Sequence, residues 1–209
     1  MKKIMILFLT LALVFSLGIS AVNAQEARVT VLKAKAVIKT FYEYKDGSWN
    51  NLTNDVGDRH FLVIEAEPPD SAWEDQYNIN YLELIITWKE GGGKYYERYT
   101  IGEDPDTIVY MVDLGKNDKV ALTVDMRHSE LGAMMVLKGK VNKKGYIKFL
   151  KGFLNAVNYD PDLSSFETLE LNYQRIKKFD DPNITTGSDM ADAIVEFLEG
   201  KGFVENTGD

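Results

Sequence analysis

Cysteine is absent from all 209 residues. That excludes disulfide staples, thiolate metal sites, cysteine nucleophiles and the lipid-modified cysteine of a bacterial lipoprotein. Histidine is nearly absent too: His60 and His128 are the only two, so no histidine cluster can hold zinc. His128 and Ser129 are sequence neighbours, and on an extended chain they face opposite ways, which spoils them as base and nucleophile. Neither H-E-x-x-H, G-x-S-x-G nor S-x-x-K occurs. Gly91, Gly92 and Gly93 have no helix behind them and so make no phosphate loop. Positive charge is in short supply, with 24 Lys and Arg against 32 Asp and Glu and a net charge of -8. Such a balance argues against nucleic acid, which demands a basic footprint.

Long apolar runs are missing after residue 17, and what precedes that point has one clear reading. Lys2 and Lys3 open a run from Ile4 to Leu17 that ends in small residues and Val22-Asn23-Ala24. This is the pattern of a cleaved secretory signal peptide over residues 1–24, leaving a mature domain of residues 25–209. Losing two lysines takes the net charge from -8 to -10. The expected location is periplasmic or extracellular. An uncleaved anchor is the plainer alternative, because the apolar run approaches the roughly 20 residues that span a bilayer. About 185 residues without staples suffice for one domain with a real core.

Period-two alternation recurs along the mature chain. Leu32, Ala34, Ala36, Ile38, Tyr42 and Tyr44 alternate with Lys33, Lys35 and Lys39, giving a long first strand up to Asp46-Gly47. Leu82 to Trp88 turns through Glu90-Gly91-Gly92-Gly93 into Lys94 to Ile101. Ile108, Tyr110, Val112 and Leu114 share one face and turn through Gly115 to Asp118 into Val120, Leu122, Val124 and Met126. Met134 to Val141 pairs with Tyr146 to Val157, and His60 to Glu67 and Phe166 to Lys178 add further strands. The fold class is mostly β: an antiparallel meander of about 8–10 strands forming a sandwich or barrel over residues 25–180. One amphipathic C-terminal helix follows over residues 188–200. Ser188 is its expected cap, Ala191, Ile194, Val195 and Leu198 its buried stripe, and Gly200 its stop with Phe203 folding back.

Three constellations could carry function. The stretch from Glu67 to Asn80 holds Asp70, Trp73, Glu74 and Tyr77, an aromatic plate beside carboxylates of the kind that stacks on a sugar ring. The plainer reading makes Trp73 a plug for the open end of the β-structure. Lys138, Lys140, Lys143, Lys144, Lys148 and Lys151 crowd one hairpin and could meet an anionic partner, although lysines on a strand also serve simply to block aggregation. Asp181, Asn183, Asp189 and Asp192 are the closest local match to a Ca²⁺ loop. They depart from the EF-hand pattern, however: Gly187 sits at the seventh position and Asp192 occupies the twelfth. Turn and cap chemistry explains those residues without a metal.

Together these features point to a non-enzymatic exported β-domain binding a glycan, small molecule or envelope protein through end loops. No catalytic residue stands out, although a pair among 32 acids could serve a carboxylate-dependent hydrolase. A β-barrel carrier of an apolar ligand, lipocalin-like in architecture, is the other alternative. The large residues Leu122, Met126, Met135, Leu137 and Phe149 at expected inward positions favour a packed interior. No cofactor is expected beyond the Ca²⁺ candidate. Nor is stable membrane insertion once the leader is removed, since charges interrupt the strands.

Overall fold

The computed structural model describes residues 26–51, 58–69, 75–101, 106–115, 117–127, 132–159 and 164–206. The leader reading therefore lies outside the described residues. Strands β1 (Arg28–Lys35), β2 (Val37–Lys45), β3 (Ser48–Asn51), β4 (Arg59–Glu67), β5 (Gln76–Glu90) and β6 (Gly93–Ile101) precede β7 (Ile108–Asp113) and β8 (Lys119–Met126). Then come β9 (Ala133–Val141), β10 (Ile147–Tyr159), β11 (Ser164–Arg175), helix α1 (Gly187–Glu199) and the two-residue β12 (Val204–Glu205). The antiparallel meander closes on itself in the order β1-β4-β5-β7-β8-β9-β10-β11, with β11 returning to β1. The fold is thus a barrel, not a sandwich, and closure removes the unpaired edges that an open sheet must protect.

Extra strands continue barrel strands past its rim. β1 and β2 both pair with β11 in one register, Leu32 opposite Arg175 and Val37 opposite Glu170, so they form one long strand interrupted at Ala36. At the interruption the Ala36 N–H still donates to Asp58 O at 2.8 Å, one position further along the β1–β4 register. Beyond it, the register slips between Thr168 and Leu169. Lys39 is the extra residue, and the bulge inverts every later side chain. Phe41 now shares the inward face with Glu167. Tyr42 and Tyr44, which unbroken alternation would place with Ile38, face outward and are exposed. A second bulge, between Ile147 and Phe149, likewise turns Phe149 outward, and Ile147 and Leu150 fill the interior in its place.

Inward positions on all eight barrel strands form one contiguous core. Leu122, Met126, Met135, Leu137, Leu150 and Tyr173 in it are at most 1% exposed. A second core lies outside the barrel. Val31, Phe61, Val63 and Ile85 project outward from β1, β4 and β5 onto Met190, Ala191, Ile194 and Leu198 of α1. β4 is consequently buried on both faces from His60 to Ile64. Each of the large helix side chains contributes about 1.5–3 kcal/mol by leaving water.

Helix capping is shifted from its expected residues. Thr186, not Ser188, is the N-cap, its hydroxyl accepting from Asp189 N–H at 3.2 Å. At the other end the left-handed residue is Gly202 (φ +79°), not Gly200. Phe203 N–H donates to Leu198 O and Gly202 N–H to Glu199 O, the two bonds of a Schellman motif, and Phe203 packs on the cluster containing Leu198.

Inside the barrel, His60 Nδ1 and the Tyr173 hydroxyl share a hydrogen bond at 3.3 Å. Burial lowers the His60 pKa from 6.5 to about 4. The unfolded chain therefore takes up this proton first as pH falls. Stability is expected to drop between pH 6.5 and 4 by an amount on the order of 3 kcal/mol and to be indifferent to this group below that window. Urea midpoints measured across the window should show the slope in wild type and lose it in His60→Leu.

Candidate functional site

β1 and β11 share two ladder positions, Leu32 with Arg175 and Lys33 with Gln174. On the outer surface beside that seam a shallow cleft of about 440 Å³ is lined by Lys33 and Lys35 of β1, Arg59 of β4, and Gln174, Arg175 and Lys177 at the end of β11. The alternation explains the first three: Leu32, Ala34 and His60 point in, so Lys33, Lys35 and Arg59 point out. Lys35 and Arg59 are direct cross-strand partners, a like-charge arrangement that destabilises a ladder. Lys33 is opposite Phe61 and places its Nζ 4.7 Å from that ring's centroid.

The remaining cations arrive from the short 3-10 turn Lys177–Phe179. Ile176 N–H donates to Val31 O at 2.9 Å, which anchors this turn beside β1. Lys178 Nζ stands 3.4 Å from the centroid of the half-exposed Phe197 ring. Burial, then the charges of Arg59 and Lys178, lower the Lys33 pKa. Burial and Lys201 do the same to Lys178. Among the described residues, none of Lys33, Lys35, Arg59, Lys177 and Lys178 has an ion-pair partner. Arg175 differs. Its guanidinium pairs with Asp180 at 2.9 Å and stacks 3.8 Å from the Tyr146 centroid, yet its Nε is buried without a hydrogen-bond acceptor among the described residues. Apart from Arg175, the cleft is a concentration of donors and positive charge that no ion pair among the described residues neutralises.

Of the residues singled out in the sequence, Asp70, Trp73 and Glu74 lie outside the described residues. Tyr77 does not belong to a loop: β5 already begins at Gln76, and Tyr77 is a barrel-core residue 5% exposed, its pKa raised to about 12 chiefly by burial. Lys138, Lys140 and Lys151 project from the outer face of β9 and β10, whereas Lys143 and Lys144 sit at the rim beside Arg28. Lys148 is exposed in the bulge.

The Ca²⁺ candidates are engaged separately. Asp181 Oδ1 accepts from Asn183 N–H in a turn, Asp189 serves the cap through Thr186, and Asp192 pairs with Arg98 at 2.9 Å. Among the described residues no group of three or more His, Asp or Glu is placed to hold a metal.

One carboxylate pair was not foreseen. Burial raises the Asp58 pKa, and burial followed by the Asp58 charge raises that of Glu167, which faces the interior side opposite Phe41.

Lys33 and Lys35 were visible as the polar side of the first strand, whereas Lys177 and Lys178 were read as the end of the Phe166 to Lys178 strand, which in the structure stops at Arg175. What joins them is the β1–β4 register and the return of the chain from β11, and neither is written in local sequence. The fold and the cleft define a closed eight-stranded barrel with an external cationic site. Comparisons with protein-family models, curated proteins and solved structures each return no match.

Proposed function

We propose that this chain is an exported, non-enzymatic barrel that binds an anionic ligand, a phosphate-, sulfate- or carboxylate-bearing glycan or small molecule, in the outer cleft. One observation carries the reading: Lys33, Lys35, Arg59, Lys177 and Lys178 converge from three separate segments with no acidic partner among the described residues. Holding like charges together costs stability, and a bound oxyanion reverses the sign of that interaction while accepting several charge-assisted hydrogen bonds. The filled interior supports binding outside the barrel over carriage within it. Asp58 and Glu167 are the observation a hydrolase would start from, but the pair by itself defines no substrate.

Calorimetric titration with inorganic phosphate, sulfate and a galacturonic acid oligomer tests the proposal. The double variant Lys35→Gln/Arg59→Gln is expected to weaken binding about tenfold or more. Without ligand the same variant should melt no lower than wild type, because it relieves a repulsive cross-strand pair. Equal affinity in wild type and variant, or binding of none of the three anions, defeats this reading.

A further inference from the structure

The side of the barrel opposite α1 carries a second, unrelated surface. The helix covers β1, β4 and β5, and β9 lies directly across the barrel from β4. There the ladder aligns Tyr110, Thr123, Val136 and Phe153 in one outward row across β7, β8, β9 and β10. Tyr110, Val136 and Phe153 are 41%, 40% and 49% exposed. Nine of the twelve large hydrophobic residues exposed among those described lie on the outward side of this wall and its β2–β3 extension, Phe166, Tyr42 and Trp49 among them. The period-two pattern that makes Ile108 and Tyr110 look like a core face is real, but Val109 and Met111 occupy the interior and the other set meets water. An apolar band of this extent on one wall calls for an occupant.

One ladder step away, roughly 7 Å along the strands, the outward positions turn cationic. Lys138 stands opposite Lys151 and Lys119 opposite Lys140, two like-charge pairs in adjacent rows. None of the four has an ion-pair partner among the described residues. The two acids at outward positions of β8–β11, Asp125 and Glu170, are paired with Arg127 and Lys39. The wall is thus net positive on a chain of charge -8.

From this juxtaposition we infer that the β7–β10 wall docks on an anionic lipid bilayer, with the Tyr110–Val136–Phe153 row entering the headgroup boundary and the lysine rows meeting phosphates. Charge complementarity selects the occupant. Parallel rows of lysine and of mixed aromatic and aliphatic side chains match a surface whose charge and apolar interior are separated by depth, and aromatic rings favour that boundary. Docking on the surface is distinct from spanning it: lysines at mid-strand positions and a helix packed outside the barrel are incompatible with a lipid-embedded wall. The residues involved are separate from those of the β1–β11 cleft, so either proposal can fail alone.

The test is co-sedimentation of the purified chain, from Gln25 onward, with vesicles of mixed phosphatidylglycerol and phosphatidylcholine and with vesicles of phosphatidylcholine alone. Wild type is expected to bind the former and release in high salt. Lys138→Gln/Lys151→Gln should weaken binding about 30-fold, from about 1 kcal/mol per lysine near an anionic surface. Val136→Ser/Phe153→Ser should weaken it about tenfold or more, and Lys35→Gln/Arg59→Gln in the cleft should leave it unchanged. Failure to bind the anionic vesicles overturns the inference and leaves the wall to an acidic protein. Binding insensitive to the wall substitutions, or abolished by the cleft pair, overturns it equally. Should the serine variant fold poorly, the lysine variant decides alone.

Discussion

Gly152→Ala should cost on the order of 3 kcal/mol, although one methyl group is all that is added. A Cβ at Gly152 would sit 1.9 Å from Val136 O and 3.0 Å from Leu137 Cα. At Gly139, on the facing strand, it would sit 1.8 Å from Phe149 O. Neither glycine adopts a positive φ. Their role is close approach: β9 and β10 coil tightly enough here that a backbone oxygen occupies the place of a side chain, and no rotamer change relieves a clash with backbone. Gly115 supplies the contrast, since its φ is +83° and nothing among the described residues lies within 4 Å of its Cβ position. Gly115→Ala should therefore cost about 1–2 kcal/mol, the left-handed penalty alone. Urea unfolding of the three single variants checks the ranking. Equal losses at Gly115, Gly139 and Gly152 would mean that the close approach is not what the two strand glycines provide.

The same two strands show how far sequence alone could go. Alternation located nearly every strand because a half-buried strand must alternate, and the glycine-rich turn was plain because both Gly91 and Gly92 need positive φ. Facing was lost wherever one residue was added. The bulge at Lys39 exposes Tyr42 and Tyr44, and the bulge before Phe149 removes it from the core. β7 offered two apolar sets, and only closure of the barrel decided that Val109 and Met111 go inside. Closure was itself invisible, because it rests on the pairing of β1 with β11, more than 140 residues apart. The cleft fared worst. Arg59 had no partner in its local sequence, and the opposition of Lys35 and Arg59 exists only once the register is set.

Arg98→Met should lower stability by about 3–5 kcal/mol, the cost of stranding a buried charge. Glu83 faces outward from β5 beneath α1 and its side chain is fully buried. Arg98 of β6 grips it with Nε at 2.6 Å from Oε1 and Nη2 at 3.1 Å from Oε2, and Tyr81 donates its hydroxyl to the same carboxylate. Arg98 Nη1 also reaches Asp192 of α1 at 2.9 Å, so one guanidinium joins barrel and helix. The hydrogen bond from Arg98 to Glu83 raises the arginine pKa further, which keeps the group charged at any pH the fold survives. The interaction is specific because of its geometry, not because it is an ion pair. Replacing both residues, Glu83→Met with Arg98→Met, removes the stranded charge together with its partner and should cost far less than the sum of the single substitutions. A double-mutant cycle by chemical denaturation measures the difference. Additive losses would show that Arg98 supports the helix through packing of its aliphatic stem. A double loss far below the sum would show that one buried carboxylate fixes where α1 attaches, and that the second core outside the barrel is organised around a charge.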